Sequence, residues 1–302
     1  MTSTATRTRA VIFVNASAGW DAKEDAPQKL EQWFAESGIE AQVEYVEKGV
    51  NLAEKAREAV IAGNDIVVAA GGDGTLSATA SGLVGTEATF GVLPVGTLNH
   101  FARDLNLPLE LEPAARVISA GHVMEVDVGE VNGKTFLNNA VLGLYPIFRA
   151  IRADLQKRGW PSKLSWIWGW VTALQKLPFY RMKLTVDGRE VIRKTPYMII
   201  ANNKHAMQGR HIGARKSLQD GKLWIYVLRP QSRIALVWMA LKVVFGVFRR
   251  QEYFDAFPAT EVYIDTRSRR LGVSLDGEIH VMDTPLRFRS LPLSLRVFVP
   301  EP

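Results

Sequence analysis

The stretch 65-DIVVAAGGDGT-75 decides the reading of this chain. Asp65–Ala70 is a short apolar run of the kind that forms a strand buried on both faces. Gly71-Gly72-Asp73-Gly74-Thr75 follows at once, and Leu76–Leu83 then reads as a short helix. Glycines at a strand-to-helix turn let the backbone fold tightly and approach a ligand without a Cβ in the way. The amides at the helix start favour an anion. Thr75 adds a hydroxyl donor. Asp73 would repel a bare phosphate, so it points to a metal ion or to a hydroxyl that must lose its proton. Mg²⁺ takes carboxylate and phosphate oxygens together. Ligands of open α/β sheets bind at this carboxyl edge of the strands.

Working outward, strand and helix signals alternate. Ala10–Val14, Ala41–Val46 and Phe90–Leu93 read as strands, and Pro27–Ser37 and Leu52–Ala62 as helices. This order predicts a parallel sheet with helices on its faces. The strand Phe90–Leu93 also ends in a polar glycine loop, 94-PVGTLNHFAR-103. Two neighbouring strand ends would then present amides and hydroxyls to one cleft, with Gly96, Thr97, Asn99 and Arg103 available to nucleotide or phosphate.

Beyond residue 121 the style changes. Asn132-Gly133, Asp187-Gly188, Asp220-Gly221 and Asp276-Gly277 each sit between β-rich runs and read as hairpin turns. An antiparallel sandwich is predicted. Two helical segments interrupt it, Lys163–Leu177 and Ile234–Arg249; the second is apolar on several faces and is expected to be buried. Leu293–Val299 reads as a final strand. The expected fold is an N-terminal Rossmann-like α/β nucleotide domain (residues 1–125) and a C-terminal antiparallel β-sandwich (126–302), whose last strand can pack back on the first domain.

The composition excludes several classes. The chain has 302 residues, is 47% hydrophobic and 23% charged, and suits about two globular domains. It has no cysteine, so disulfides, thiolate metal sites and a Cys nucleophile are out. Its longest run without Asp, Glu, Lys or Arg is the 15 residues Ala88–Ala102, short of the ~20 apolar residues of a bilayer span. With no signal-peptide core near the N-terminus, a cytoplasmic location is expected. The five histidines show no zinc spacing, and the nucleophile-elbow and P-loop patterns are absent.

Charge is divided unevenly. Residues 1–130 carry 9 Lys/Arg against 19 Asp/Glu, a net of −10, and residues 131–302 carry 28 against 12, a net of +16. Six of the eight tryptophans (Trp160, Trp166, Trp168, Trp170, Trp224 and Trp238) lie in the basic half. Tryptophan beside Lys157, Arg158, Lys163 and Lys176 suits an anionic membrane surface; packing over the sandwich core explains the same residues.

GGDGT followed by PVGTLNHFAR resembles the diacylglycerol kinase catalytic family, which includes bacterial soluble lipid kinases and sphingosine kinases. Three further blocks match in order. Asn15–Gly19 resembles the family's opening loop. Asn202-Asn203 with Gly209–Leu223 resembles its middle block, and Leu275-Asp276-Gly277-Glu278 its late acidic motif. The resemblance implies transfer of the γ-phosphoryl group of ATP to a lipid hydroxyl, in a cleft between the two domains. It implies nucleotide contacts at Asn15, Gly71–Thr75, Gly96, Thr97 and Asn99. It places Asp73 near metal and phosphates, Glu278 as general base, and Asp276 beside it in the catalytic group. It implies a structural Mg²⁺ at Ser217, Asp220 and the Lys222 carbonyl, although Ser217 stands where an acid is usual. Ala16, Glu47 and His100 also depart from the family pattern.

ATP and Mg²⁺ are therefore the expected cofactors. A lipid substrate and peripheral contact with the anionic inner membrane surface are the expected partners, without nucleic acid; a homodimer stays open. Two other readings compete. One is a different GGDG-loop kinase, acting on a nicotinamide dinucleotide or a sugar phosphate. The other is a non-catalytic lipid- or nucleotide-binding module, against which Asp73, Asp276 and Glu278 all stand intact.

Overall fold

The computed structural model describes residues 8–15, 26–47, 49–162, 164–165, 168, 172, 179–205, 215, 217–229, 232–244 and 250–301. The chain forms two compact units. One comprises Met1–Val128 with Leu291–Pro302, and the other Gly129–Ser290.

The first unit is built on parallel strands in the order β2 (Ile39–Val46), β1 (Thr8–Asn15), β3 (Ile66–Gly71) and β4 (Thr89–Pro94). The end of the last strand, β16 (Leu286–Phe298), lies parallel beside β4 through Arg296–Thr89 and Val297–Phe90. Every residue of β3 and β4 is buried, as expected of strands covered on both faces. Side chains alternate between the faces. Ile12, Val14, Val68 and Ala70 pack with Leu30 and Phe34 of α1 (Ala26–Ala35) and with Ala114, Ala115 and Ile118 of α5 (Leu111–Ala120). The alternate residues Val11, Phe13, Val67 and Ala69 face the other way and are equally buried. On the helical layer, α2 (Leu52–Ile61) and α3 (Asp73–Leu83) touch at Gly82, where a Cβ would lie 2.2 Å from the Ala53 carbonyl oxygen.

Helix α3 starts three residues earlier than Leu76, because the glycine loop itself supplies its first turn. Two helices follow β4: α4 (His100–Asp104), with Asn99 at its N-cap, and α5, which the sequence reading does not place. Pro113 falls in the first turn of α5, where a missing N–H costs nothing.

The second unit is an antiparallel sandwich. One layer runs β9 (Arg189–Thr195), β8 (Tyr180–Val186), β13 (Glu261–Asp265) and the first half of β16. The end of β5 (Val123–Val131) pairs with β6 (Lys134–Phe136). The other layer runs β12 (Phe254–Ala259), β11 (Leu223–Leu228), β10 (Tyr197–Asn202), β7 (Asn139–Gly143), β14 (Arg270–Leu275) and β15 (Glu278–Asp283). Met182, Leu184, Val262, Ile264 and Phe288 from the first layer meet Leu142, Met198, Ile200, Ile225 and Val273 from the second in one core.

Three of the four expected hairpin turns are present. Asn132-Gly133, Asp187-Gly188 and Asp276-Gly277 all take positive φ at both residues, the requirement of a tight type I′ turn. Asp220-Gly221 does not form one. It lies in the long connection between β10 and β11, with positive φ only at Gly221. The dipeptide signals local backbone geometry, and pairing of the flanking strands is decided elsewhere.

The expectation for Ile234–Arg249 also needs correction. The helix Arg233–Val244 buries Leu236, with Met239 packed beside it, but leaves Ile234 73% and Trp238 64% exposed. An apolar sequence on several faces does not ensure that every face finds a partner. Residues 245–249, and most of 163–177, lie outside the described residues. The helix α6 (Leu144–Lys157) precedes that second stretch. Among the described residues no helix is long and apolar enough to cross a membrane.

Asp187 shows how a turn residue fastens the sandwich. Its Oδ1 accepts hydrogen bonds from the Thr260 amide (3.0 Å), the Thr260 hydroxyl (2.7 Å) and the Glu261 amide (3.0 Å). Partial burial pushes the carboxyl pKa up, yet these hydrogen bonds together outweigh it and hold the pKa below its ordinary value. A depressed folded-state pKa contributes stability that is present above the unfolded value, about 3.9, and lost as pH falls through the folded one. Asp187→Asn keeps the turn geometry but removes the charge. It is expected to lower the melting temperature at pH 7, with the gap to wild type closing below about pH 4. A gap that stays constant across a pH 3–7 melting series would contradict this assignment.

Candidate functional site

The glycine loops at the carboxyl ends of β3 and β4 meet. A Cβ on Gly96 would lie 2.5 Å from Gly72 Cα and 2.7 Å from Asn99 Oδ1; a Cβ on Gly71 would lie 2.6 Å from Thr75 Cβ. The Val95 amide donates to the Gly71 carbonyl at 3.1 Å, which ties the two strand ends together. Gly72 is the N-cap of α3 in extended conformation and offers no side-chain cap. The first-turn amides are therefore open to a ligand anion in the way a helix N-terminus allows.

Each predicted residue of this unit has a defined place. Asn15, the last residue of β1, donates from Nδ2 to Thr75 Oγ1 at 2.9 Å. That bond uses an acceptor position of the buried hydroxyl and leaves its proton to donate. Asp73 is half-buried, and its Oδ1 accepts the Phe101 amide at 3.2 Å, linking the starts of α3 and α4. Thr97 is exposed. Asn99 serves the loop itself. It is 5% exposed, holds φ at +50°, accepts the Gly96 amide on Oδ1 at 2.9 Å and donates from Nδ2 to the Gly96 carbonyl at 2.8 Å. Arg103 likewise donates to the Leu98 carbonyl at 3.0 Å. Both side chains shape the loop, and Asn99 is the N-cap position of α4.

The second unit carries the acidic motif. Asp276 Oδ2 accepts the Leu137 amide at 2.7 Å, and its Oδ1 accepts the amides of Asn138 and Asn139 at 2.9 and 3.0 Å. Charge-assisted bonds of this kind are among the stronger ones. Asp276 thus clamps the β14–β15 turn to the start of β7. Glu278 opens β15 opposite Leu275 and is exposed, and its carboxylate accepts no hydrogen bond among the described residues. His280, two residues on, shares its face of the strand. Burial, joined by the Lys134 charge, pushes the His280 pKa below the ordinary histidine value against an opposing pull from Glu278, so a neutral ring stands beside the carboxylate. Sequence reasoning left His280 unassigned because no spacing pattern singles it out.

The expected structural Mg²⁺ site fits poorly. Ser217 Oγ already accepts the Gln219 amide at 3.1 Å, and the Lys222 carbonyl accepts the Asn203 amide at 3.1 Å. Asp220 is exposed and is the one carboxylate of the three. Divalent hard cations take six or more oxygens, usually with more carboxylate charge. Among the described residues no three His, Asp or Glu side chains gather for a metal. Residues 206–214 of the same block lie outside the described residues.

Comparison with known proteins agrees with this architecture. Residues 9–131 match the diacylglycerol kinase catalytic domain, and residues 149–299 match the YegS C-terminal NAD kinase beta sandwich-like domain. A protein named diacylglycerol kinase from Bacillus subtilis is 26% identical over 303 residues, covering 97% of each chain. A protein from Pseudomonas savastanoi pv. phaseolicola named "Probable lipid kinase YegS-like" is 30% identical over 80% of this chain and 78% of its own. The crystal structure of a diacylglycerol kinase from Bacillus anthracis superposes with a TM-score of 0.69 at 20% identity, over 97% of each chain, which establishes the fold. The protein is a kinase. The chain belongs to the diacylglycerol kinase catalytic family, with the YegS-type sandwich as its second domain.

The two facing glycines make a paired test. A Cβ on Gly72 would sit 3.6 Å from Gly96 Cα, an ordinary contact, whereas one on Gly96 would meet backbone at 2.5 Å. Gly72→Ala is expected to fold with stability within ~0.5 kcal/mol of wild type while weakening nucleotide binding. Gly96→Ala is expected to lose about 1–3 kcal/mol of stability. Denaturant melts and nucleotide titration check both, and equal destabilisation by the two substitutions would refute the close approach.

Proposed function

We propose that the protein transfers the γ-phosphoryl group of ATP to a hydroxyl of a diacylglycerol-like or sphingoid lipid. The observation that carries this is the bare backbone cradle where Gly72 meets Gly96 at the uncapped start of α3. Amides without intervening side chains suit the phosphates of a nucleotide, and Thr75 adds a hydroxyl donor whose oxygen is pinned by Asn15. Asp73 stands at the first helical position, suited to the Mg²⁺ that travels with ATP. That ion supplies charge neutralisation of the transferring phosphoryl group.

Glu278 is the general base in this reading. Its exposed carboxylate takes the proton from the acceptor hydroxyl as that oxygen bonds to the γ-phosphorus. The bond from γ-phosphorus to the bridging oxygen breaks, leaving ADP. The clamp at Asp276 holds the turn from which Glu278 projects. His280, kept neutral by burial, adds no competing positive charge beside the carboxylate.

The lipid arrives at a membrane surface. Trp160, Trp168, Ile234 and Trp238 are exposed, and Ile234 and Trp238 lie four residues apart on one stripe of the helix Arg233–Val244. With the net charge of +16 over residues 131–302, they suit peripheral contact with the anionic inner leaflet, where each basic residue contributes about 1 kcal/mol. A cytoplasmic enzyme attached peripherally to the inner membrane surface follows from this reading.

Labelled ATP with Mg²⁺ and a panel of diacylglycerol, monoacylglycerol, sphingoid bases and nicotinamide dinucleotide tests the reaction. A phosphorylated lipid is expected; product only from the dinucleotide would replace this reading with that of a dinucleotide kinase. Glu278→Gln is expected to lower kcat at least ~100-fold with ATP binding retained, and near-normal turnover would remove Glu278 from the role of base.

Binding to phosphatidylglycerol vesicles is expected to weaken as salt rises, because screening acts on surface charge. The double substitution Ile234→Ser, Trp238→Ser should weaken it further at fixed salt. Binding insensitive to both would sink the membrane assignment.

A further inference from the structure

Arg215 is a buried cation for which no role has been assigned. It is 9% exposed, and its backbone bridges to His205 just beyond β10. Its Nη1 donates to the Leu137 carbonyl at 2.6 Å and its Nη2 to Asn138 Oδ1 at 3.1 Å. Asn202 reinforces the same segment, donating from Nδ2 to the Leu137 carbonyl at 3.0 Å and from its amide to the Asn138 carbonyl at 2.9 Å. The amides of Leu137, Asn138 and Asn139 all point the other way, to the carboxylate of Asp276. The Asp276 amide closes the arrangement on the Asn139 carbonyl at 3.0 Å.

The segment 137–139 is therefore held between a buried guanidinium on its carbonyl side and a carboxylate on its amide side. Burying a guanidinium is costly, and apolar replacements of such groups are often as stable. What a fixed, forked donor supplies is geometry. The turn that Asp276 clamps is the turn from which Glu278 emerges two residues later, in a tight type I′ conformation with φ of 45° at Asp276 and 94° at Gly277. A shift of segment 137–139 is transmitted through three hydrogen bonds to that turn.

We infer that Arg215 is a positioning residue for Glu278, acting through Leu137–Asn139 and Asp276. The inference rests on the reading of Glu278 as general base. It also assigns a protein cation to the task of ordering this loop region, where the donors Ser217, Asp220 and Lys222 fit a metal ion poorly.

The test is a double-mutant cycle on the full chain, with lipid phosphorylation as readout and melting temperature followed alongside. Arg215→Met keeps the stem and removes the charge. It is expected to lower kcat about ten-fold, as small misplacements of catalytic groups do, while KM for ATP changes less than two-fold. Arg215→Lys, which keeps the cation and one donor, is expected to recover part of the loss. In the Glu278→Gln background, Arg215→Met is expected to add less than two-fold, because groups that act as one unit are not additive.

An equal ten-fold fall in both backgrounds would show a merely structural role and overturn the inference, as would wild-type turnover in Arg215→Met. Near-normal turnover of Glu278→Gln would sink the base assignment and this inference with it; a crippled Glu278→Gln beside a fully active Arg215→Met would sink this inference alone. Should Arg215→Met fail to fold, Asn138→Ala removes one arm of the same contact and carries the same cycle, with the same outcomes deciding.

Discussion

The constraint on which the first unit depends is the approach of Gly72 to Gly96. Two parallel strands must end side by side, and the loops leaving them must turn without collision. Any side chain at Gly96 would collide with backbone. The loops settle this by having no side chains at the contact and by bonding to themselves. Asn99 closes on Gly96, Gly71 accepts the Val95 amide, and Asn15 pins Thr75. A surface of bare amides results, and it needs no charged side chain of its own to suit phosphate. This resolves an apparent contradiction in a half-chain with a net charge of −10.

The second unit uses the opposite device. Its acidic motif is organised by full charges that are satisfied by backbone. Asp276 takes three amides, and Arg215 takes a carbonyl and a side-chain oxygen of the same short segment. One of the two acids of the motif thus builds the scaffold, and the other, Glu278, is left exposed, as the role of base proposed for it requires. The two differ because a carboxylate with three donors has little freedom left, while one that accepts none among the described residues retains it.

Much of this was legible beforehand. The buried runs Asp65–Ala70 and Phe90–Leu93 and the glycine loops behind them are local patterns, and local patterns report backbone conformation. The three type I′ turns were read correctly for the same reason: asparagine or aspartate before glycine tolerates positive φ. Asp220-Gly221 misled because the same dipeptide also suits a loop, and only strand pairing distinguishes the two. The helix Arg233–Val244 misled because hydrophobicity states a preference for burial without naming a partner. The polarity of Asn99 and Arg103 is visible in the sequence, whereas their bonds to Gly96 and Leu98 depend on side-chain direction, which it does not carry.

The sequence by itself determined the fold class, the position of both glycine loops, the acidic motif and the family, since these rest on residue type and spacing along the chain. Tertiary structure alone decided the contacts. Asp276 meets Leu137 across 139 residues, and Arg215 meets Asn138 across 77. Contacts of that separation leave no periodic trace, because each requires only one suitable side chain brought to the right place by the packing of the whole sandwich. Whether an aspartate is a catalyst or a clamp depends on how many donors surround it, and that number is set in space.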